Sequence, residues 1–194
     1  ELNLLNNIIK NSNLKFSIHG SMSVNLLDED YLNDHIEVLR KEIEVCSALN
    51  INILVTHFGH TPIEVSKNAQ KYEDLIKIQK EEYFKMAEIA KKNGVTLCIE
   101  NIFPYTNLHF TALPSEVSKN INEINHPNAR TTIDFNHAYI NCNLRKKELI
   151  SEVNYNKSSE ACPTCSTECK KIDERINGRD LSKIKPKEVP HILK

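Results

Sequence analysis

The sequence predicts an α/β fold, a parallel (β/α) barrel with at least four βα units. Two observations carry that prediction. Short apolar runs alternate four times with segments of helical period, and each run ends on a His, Glu or Asp. Strands that alternate with helices imply a parallel sheet with helices packed outside it.

The first run is residues 14–19, which alternate and stop at Gly20. Residues 31–49 follow, with Leu32, Ile36, Leu39, Ile43, Cys46 and Leu49 spaced by threes and fours. That spacing puts one apolar stripe on a helix, with Asp30 as its expected N-cap and Asn50 as its stop. The second strand is 51–57, and a long helix is expected over about 66–92, closed by Asn93-Gly94. The third strand is 95–100. A short helix over 115–124 opens at Pro114-Ser115 and turns Val117, Ile121 and Ile124 inward. The fourth strand is 130–135, and a last helix is expected near 145–155. The strands read as apolar on both faces, as burial inside such a sheet requires. Residues 1–155 therefore form a partial barrel domain. Residues 156–194 turn polar, with charge, proline and clustered cysteines, and read as a separate tail.

Composition sets outer bounds. The 194 residues suffice for one core, and 40% apolar with 26% charged residues is ordinary for a globular domain. A net charge of −1 gives no overall pull toward nucleic acid or an acidic membrane. No apolar run approaches the ~20 residues that span a bilayer, and no secretory signal opens the chain. Six cysteines without such a signal point to reduced thiols and a cytoplasmic location. Glu1 in place of Met points to a chain that is processed, excised or incomplete.

The strand ends carry the chemistry. They are His19, His57, Glu100 and Asp134, with His137 three residues further on. In a parallel βα fold all these ends share one rim, where barrel active sites are built. Imidazoles and carboxylates together suit Zn²⁺ or Mn²⁺, which also relieves repulsion between the carboxylates. His60, one turn beyond His57, is a further possible donor. Any one of these residues alone is more often an ordinary polar strand end; five in phase are harder to explain that way.

The segments Ser17–Leu26, Leu54–Gly59, Leu97–Asn101 and Thr132–Ala138 resemble the xylose isomerase-like TIM-barrel superfamily, which includes sugar-phosphate isomerases, epimerases and endonuclease IV. The resemblance covers about residues 1–155 and implies an incomplete TIM barrel. It implies that Glu100 and Asp134 are metal ligands in either branch. In an endonuclease IV-like site, His19, His57 and His137 would complete a zinc cluster. In an isomerase-like site, His137 would contact substrate and Glu100 would shuttle a proton, making these two the catalytic residues. The superfamily's first strand and helix would precede Glu1. Its later His and Glu ligands would follow Tyr155, where only His191 and scattered acids stand.

Cys162, Cys165 and Cys169 form a C-x2-C-x3-C cluster, a possible second metal site that lacks an obvious fourth ligand. Cys46 and Cys98 read as core, His35 and His126 as surface, and His109 as a solvated loop residue. The leading functional expectation is a divalent-metal isomerase or epimerase acting on a small sugar or sugar phosphate. The alternatives are zinc-dependent cleavage of DNA at abasic sites and a non-catalytic barrel fragment that binds metal or a partner. Near-neutral charge argues against DNA, as does Met22 where that branch places an aromatic probe. Open strand edges would favour self-association or pairing with a missing segment.

Overall fold

The computed structural model describes residues 2–103 and 108–155. Helix α1 (Leu2–Lys10) precedes β1 (Ile18–His19), α2 (Leu32–Ala48) and β2 (Ile53–His57). A short arm and two helices follow: β3 (His60–Pro62), α3 (Ile63–Ser66) and α4 (Ala69–Lys92). Next come β4 (Thr96–Glu100), β5 (Leu108–Phe110), α5 (Pro114–Ile124), β6 (Ala129–Thr132), α6 (Phe135–Arg145) and α7 (Leu149–Tyr155).

The main sheet runs β1-β2-β4-β6, and every pairing is parallel. Strand order follows chain order without reversal. A doubly wound sheet would reverse at a switch point, so this winding is that of a barrel wall.

Register divides the side chains between two faces. Ile18, Leu54 and Leu97 align with Ala129, and Thr56 and Ile99 with Thr131. This face packs on the helices. Leu54, Leu97, Ile99 and Ala129 join one core with Leu39, Ile43 and Cys46 of α2, Tyr83, Met86 and Ala90 of α4, and Val117 and Ile121 of α5. The opposite face aligns His19 with Val55, Cys98 and Arg130, then His57 with Glu100 and Thr132. The expectation of strands apolar on both faces thus holds for only one. The second face becomes polar toward the strand ends, because there it lines a site rather than a core.

Several local expectations shift for identifiable reasons. Asn68 caps α4 by accepting from the Lys71 N–H at 3.1 Å, so the helix expected over about 66–92 starts at Ala69, and a separate short helix, α3, precedes it. Tyr31, not Asp30, precedes α2, and it makes no side-chain cap. The Asp30 N–H is instead turned to the Asp28 carboxylate at 3.2 Å. Asn50 (φ 55°) and Gly94 (φ 70°) take the left-handed conformation that ends α2 and α4, as expected. The strand expected over 14–19 contracts to two residues. That expected over 130–135 ends at Thr132, because Asp134 caps α6, a helix the periodicity did not reveal. Nor did it reveal α1 or the antiparallel pair β3–β5.

Cys46 and Cys98 are buried as expected. His126 is a correction: it is buried, not a surface residue, with Nε2 at 2.7 Å from the Glu88 carboxylate. Among the described residues no helix is long and apolar enough to cross a membrane.

Candidate metal centre

His19, His57 and Glu100 are the last residues of β1, β2 and β4, and all three lie on the face turned away from the helices. Asp134 and His137 sit just past the end of β6, as the N-cap and third residue of α6. Parallel strands carry all five residues to the same end of the sheet. They form two groups that share Glu100: His19, His57 and Glu100, and Glu100, Asp134 and His137.

The two groups use different oxygens of Glu100. Its Oε2 lies 3.5 Å from His19 Nε2 and 3.6 Å from His57 Nε2. Its Oε1 lies 3.8 Å from His137 Nδ1. His19 Nδ1 sits 2.8 Å from the Gly20 carbonyl, which only accepts, so Nδ1 carries the proton. His19 Nε2 then faces Glu100 with a lone pair, unless a second proton or a cation stands between them. The separations from His19 and His57 exceed hydrogen-bond lengths but match neighbouring ligands of one ion, which at bonds of about 2.0–2.2 Å stand roughly 3.3 Å apart in a tetrahedron. The donor set therefore fits a divalent cation.

Electrostatics agrees. Burial, aided by the charges of His19 and His137, pushes His57 down to about 4, so its ring is neutral and able to ligate near neutral pH. Burial and the Asp134 charge raise the Glu100 carboxyl, against the opposing pull of His137 and His19. A cation would reverse that penalty.

A second layer holds these groups. Asp134 Oδ1 accepts from the His137 N–H at 2.8 Å, which leaves Oδ2 for a ligand. The Tyr83 hydroxyl, fully buried in α4, donates to the His57 carbonyl. Gln79 Oε1, one turn earlier, accepts from the Gly59 N–H at 2.5 Å. Asn25 Oδ1 accepts from the N–H groups of His60 at 2.9 Å and Leu27 at 3.1 Å. None of these supporting residues was singled out for the site from sequence. A Gln within the apolar stripe Leu75, Gln79, Tyr83 was the available signal.

His60 joins neither donor group. It is drawn into β3 opposite Phe110. His109 is not a bare loop residue, since it lies on β5 and meets the Tyr72 ring edge-on at 4.8 Å. His35 is half-buried, 3.8 Å from Asp28. Met22 is 52% exposed. Cys162, Cys165, Cys169 and His191 lie outside the described residues.

The family model described as "Xylose isomerase-like TIM barrel" matches residues 1–191. A D-tagatose 3-epimerase-like protein superposes with a TM-score of 0.66 at 18% identity, over 80% of this chain and 56% of that one. D-psicose 3-epimerase, solved in the presence of D-fructose, gives 0.62 at 17% over 80% and 55%. The D-psicose 3-epimerase of Clostridium cellulolyticum H10, solved with D-tagatose, gives 0.63 at 16% over 81% and 54%. Identities this low establish the likeness of fold. The chain spans about 55% of the length of these proteins. No curated protein sequence matches it.

Proposed function

The chain belongs to the xylose isomerase-like TIM-barrel family, and from that premise we propose that it carries the divalent-metal half of an isomerase or epimerase site for a small sugar or sugar phosphate. The observation that carries this reading is the convergence of two carboxylates, Glu100 and Asp134, with His137 at the strand ends. Glu100 would hold the ion together with one of its two partner groups, Asp134 with His137 or His19 with His57, and the ion would be Zn²⁺ or Mn²⁺ by donor type. A bound divalent cation would polarise the carbonyl and hydroxyl oxygens of such a substrate.

The protein's own groups do the rest. His137 Nδ1–H donates to the Asn101 carbonyl at 2.9 Å, which leaves Nε2 as the ring nitrogen that would accept from a substrate hydroxyl or bind the ion. Glu100 sits where burial favours its protonated form, a property suited to moving a proton at the carbon next to a carbonyl. The net charge of −1 suits a neutral or singly phosphorylated sugar better than a polyanion.

A second reading, zinc-dependent phosphodiester cleavage, has one observation in its favour. Glu100 belongs to two donor groups, one with His19 and His57 and one with Asp134 and His137, so the same residues would also offer places for two ions.

One experiment separates them. The chain is titrated with Zn²⁺ and with Mn²⁺ by calorimetry. It is then incubated in D₂O with a panel of sugars and sugar phosphates, and in parallel with duplex DNA holding an abasic site. One ion per chain and metal-dependent deuterium uptake at carbon support the isomerase reading. Two ions and strand cleavage support the second. Absence of both activities from the metal-loaded chain would sink both catalytic readings.

A further inference from the structure

Asn101 directly follows Glu100, beyond the last residue of β4, and is completely buried. Its side chain faces the Asp134 backbone. Oδ1 accepts from the Asp134 N–H at 2.8 Å, and Nδ2 donates to the Asp134 carbonyl at 2.9 Å. A carboxamide has the donor and acceptor of a peptide group. Here it serves in place of one, extending the β4–β6 ladder after β6 has ended at Thr132. The Asn101 main-chain carbonyl meanwhile accepts from His137 Nδ1 at 2.9 Å. One residue thus contacts the backbone of one candidate ligand and the ring of another, and is joined by a peptide bond to a third.

We propose that Asn101 is the positioning residue of this centre: its carboxamide locks Asp134 beside Glu100, and its carbonyl, held in place by that lock, fixes His137 as the Nδ1–H tautomer, which makes Nε2 the ring's acceptor nitrogen. The proposal rests on the reading of these residues as a metal centre, but its geometric part can be tested without metal. Outer groups that orient ligands in this way are typically worth ~10–100-fold in metal affinity.

The test uses the full chain and the variants Asn101→Leu and Asn101→Asp. Leu removes both side-chain bonds at similar volume. Asp keeps the acceptor for the Asp134 N–H but loses the donor. In metal-free protein, ¹⁵N–¹H correlation of the imidazoles reads each tautomer. His126 is an internal control at a distance from Asn101 in the chain. Its Nδ1 accepts from the Asn128 N–H at 3.0 Å, so it is held as the opposite, Nε2–H tautomer facing Glu88. Asn101→Leu is expected to shift His137 to mixed tautomers, leave His126 unchanged, and weaken Zn²⁺ binding by ~10–100-fold, with Asn101→Asp in between. Should the Leu variant not fold, the Asp variant alone decides on the same two readouts. An unchanged His137 signature with Zn²⁺ affinity within about twofold of the parent would overturn the proposal. So would equal changes at His126 and His137, which would mean general loosening. Failure of the parent chain to bind Zn²⁺ would count against the metal reading, and the tautomer readout would still judge the role of Asn101.

Discussion

His57 and Glu100 are direct register partners across β2 and β4, and Nε2 of one stands 3.6 Å from Oε2 of the other. Two residues fixed opposite each other on adjacent strands have little freedom to separate. Their mutual geometry is a property of the sheet, so it is set before any ligand arrives. The same strand pairing places His57 where burial forces its ring neutral.

That neutrality has a consequence for stability. The His57 ring takes up a proton at about 4 in the folded protein, against an ordinary value of 6.5. The unfolded chain therefore binds more protons between those values, and stability rises with pH across that window. Read the other way, metal-free protein loses stability as pH falls from 6.5 toward 4, by at most about 3 kcal/mol from this residue. The raised Glu100 carboxyl acts with the opposite sign and offsets part of the loss. Urea unfolding with a chelator at pH 7, 6 and 5 should show the slope, and His57→Gln should flatten it. An equal slope in that variant would place the effect elsewhere.

The fold and the centre were unequally legible in the sequence. Strand ends at His19, His57 and Glu100 could be read because short apolar runs stop at polar residues, and all three lie where parallel strands finish. Helix α6 was hidden because Asp134, its cap, looked like the end of a strand, and its apolar positions are sparse, with only Ala138, Asn141 and Cys142 buried. The β3–β5 arm was hidden because three-residue strands have no period to detect. His126 was misjudged because its burial depends on Glu88 and Phe84, some forty residues earlier, and no local pattern records such a contact. The supporting residues Asn25, Gln79 and Asn101 act through hydrogen bonds to distant backbone, which sequence spacing does not encode.

Gly59 tests how tightly the loop after β2 is built. A Cβ there would press on Asn25 Oδ1, come within 2.7 Å of the Leu27 backbone nitrogen and 2.9 Å of Gln79 Oε1. The obstruction includes backbone, so it cannot be relieved by rotating one side chain. Gly59→Ala should destabilise the protein by about 1–3 kcal/mol. It should also weaken metal binding, because His57 lies only two residues away. Denaturant midpoints and Zn²⁺ titration of the same preparation would check both, and full retention of both would mean that the loop yields.

Tyr83→Phe isolates one hydroxyl. It removes the donor to the His57 carbonyl and leaves that acceptor buried. The ring remains, including its edge-to-face contact with Phe58 at 5.2 Å, so packing is unchanged. The expected cost is about 1–3 kcal/mol, the penalty for a buried group left unsatisfied. Chemical denaturation of parent and variant measures it, and a difference near zero would mean that the carbonyl finds another donor.

Asp134 performs two tasks that a pair of substitutions can separate. Its Oδ1 caps α6 through the His137 N–H at 2.8 Å, and its Oδ2 stands 4.0 Å from His137 Nδ1 on the side of the donor group. Asn is as good a helix cap as Asp but a much poorer ligand for a hard divalent cation. Asp134→Asn should therefore keep metal-free stability within about 0.5 kcal/mol of the parent while reducing Zn²⁺ or Mn²⁺ affinity by more than ~10-fold. Asp134→Ala should lose the same affinity and also about 1 kcal/mol of stability, because the cap goes as well. Thermal unfolding with chelator gives the first quantity and calorimetric titration the second. Equal stability in the Ala and Asn variants would show that the cap contributes nothing. Parent-like metal affinity in the Asn variant would remove Asp134 from the centre and leave His19, His57 and Glu100 as the only group able to hold an ion among the described residues.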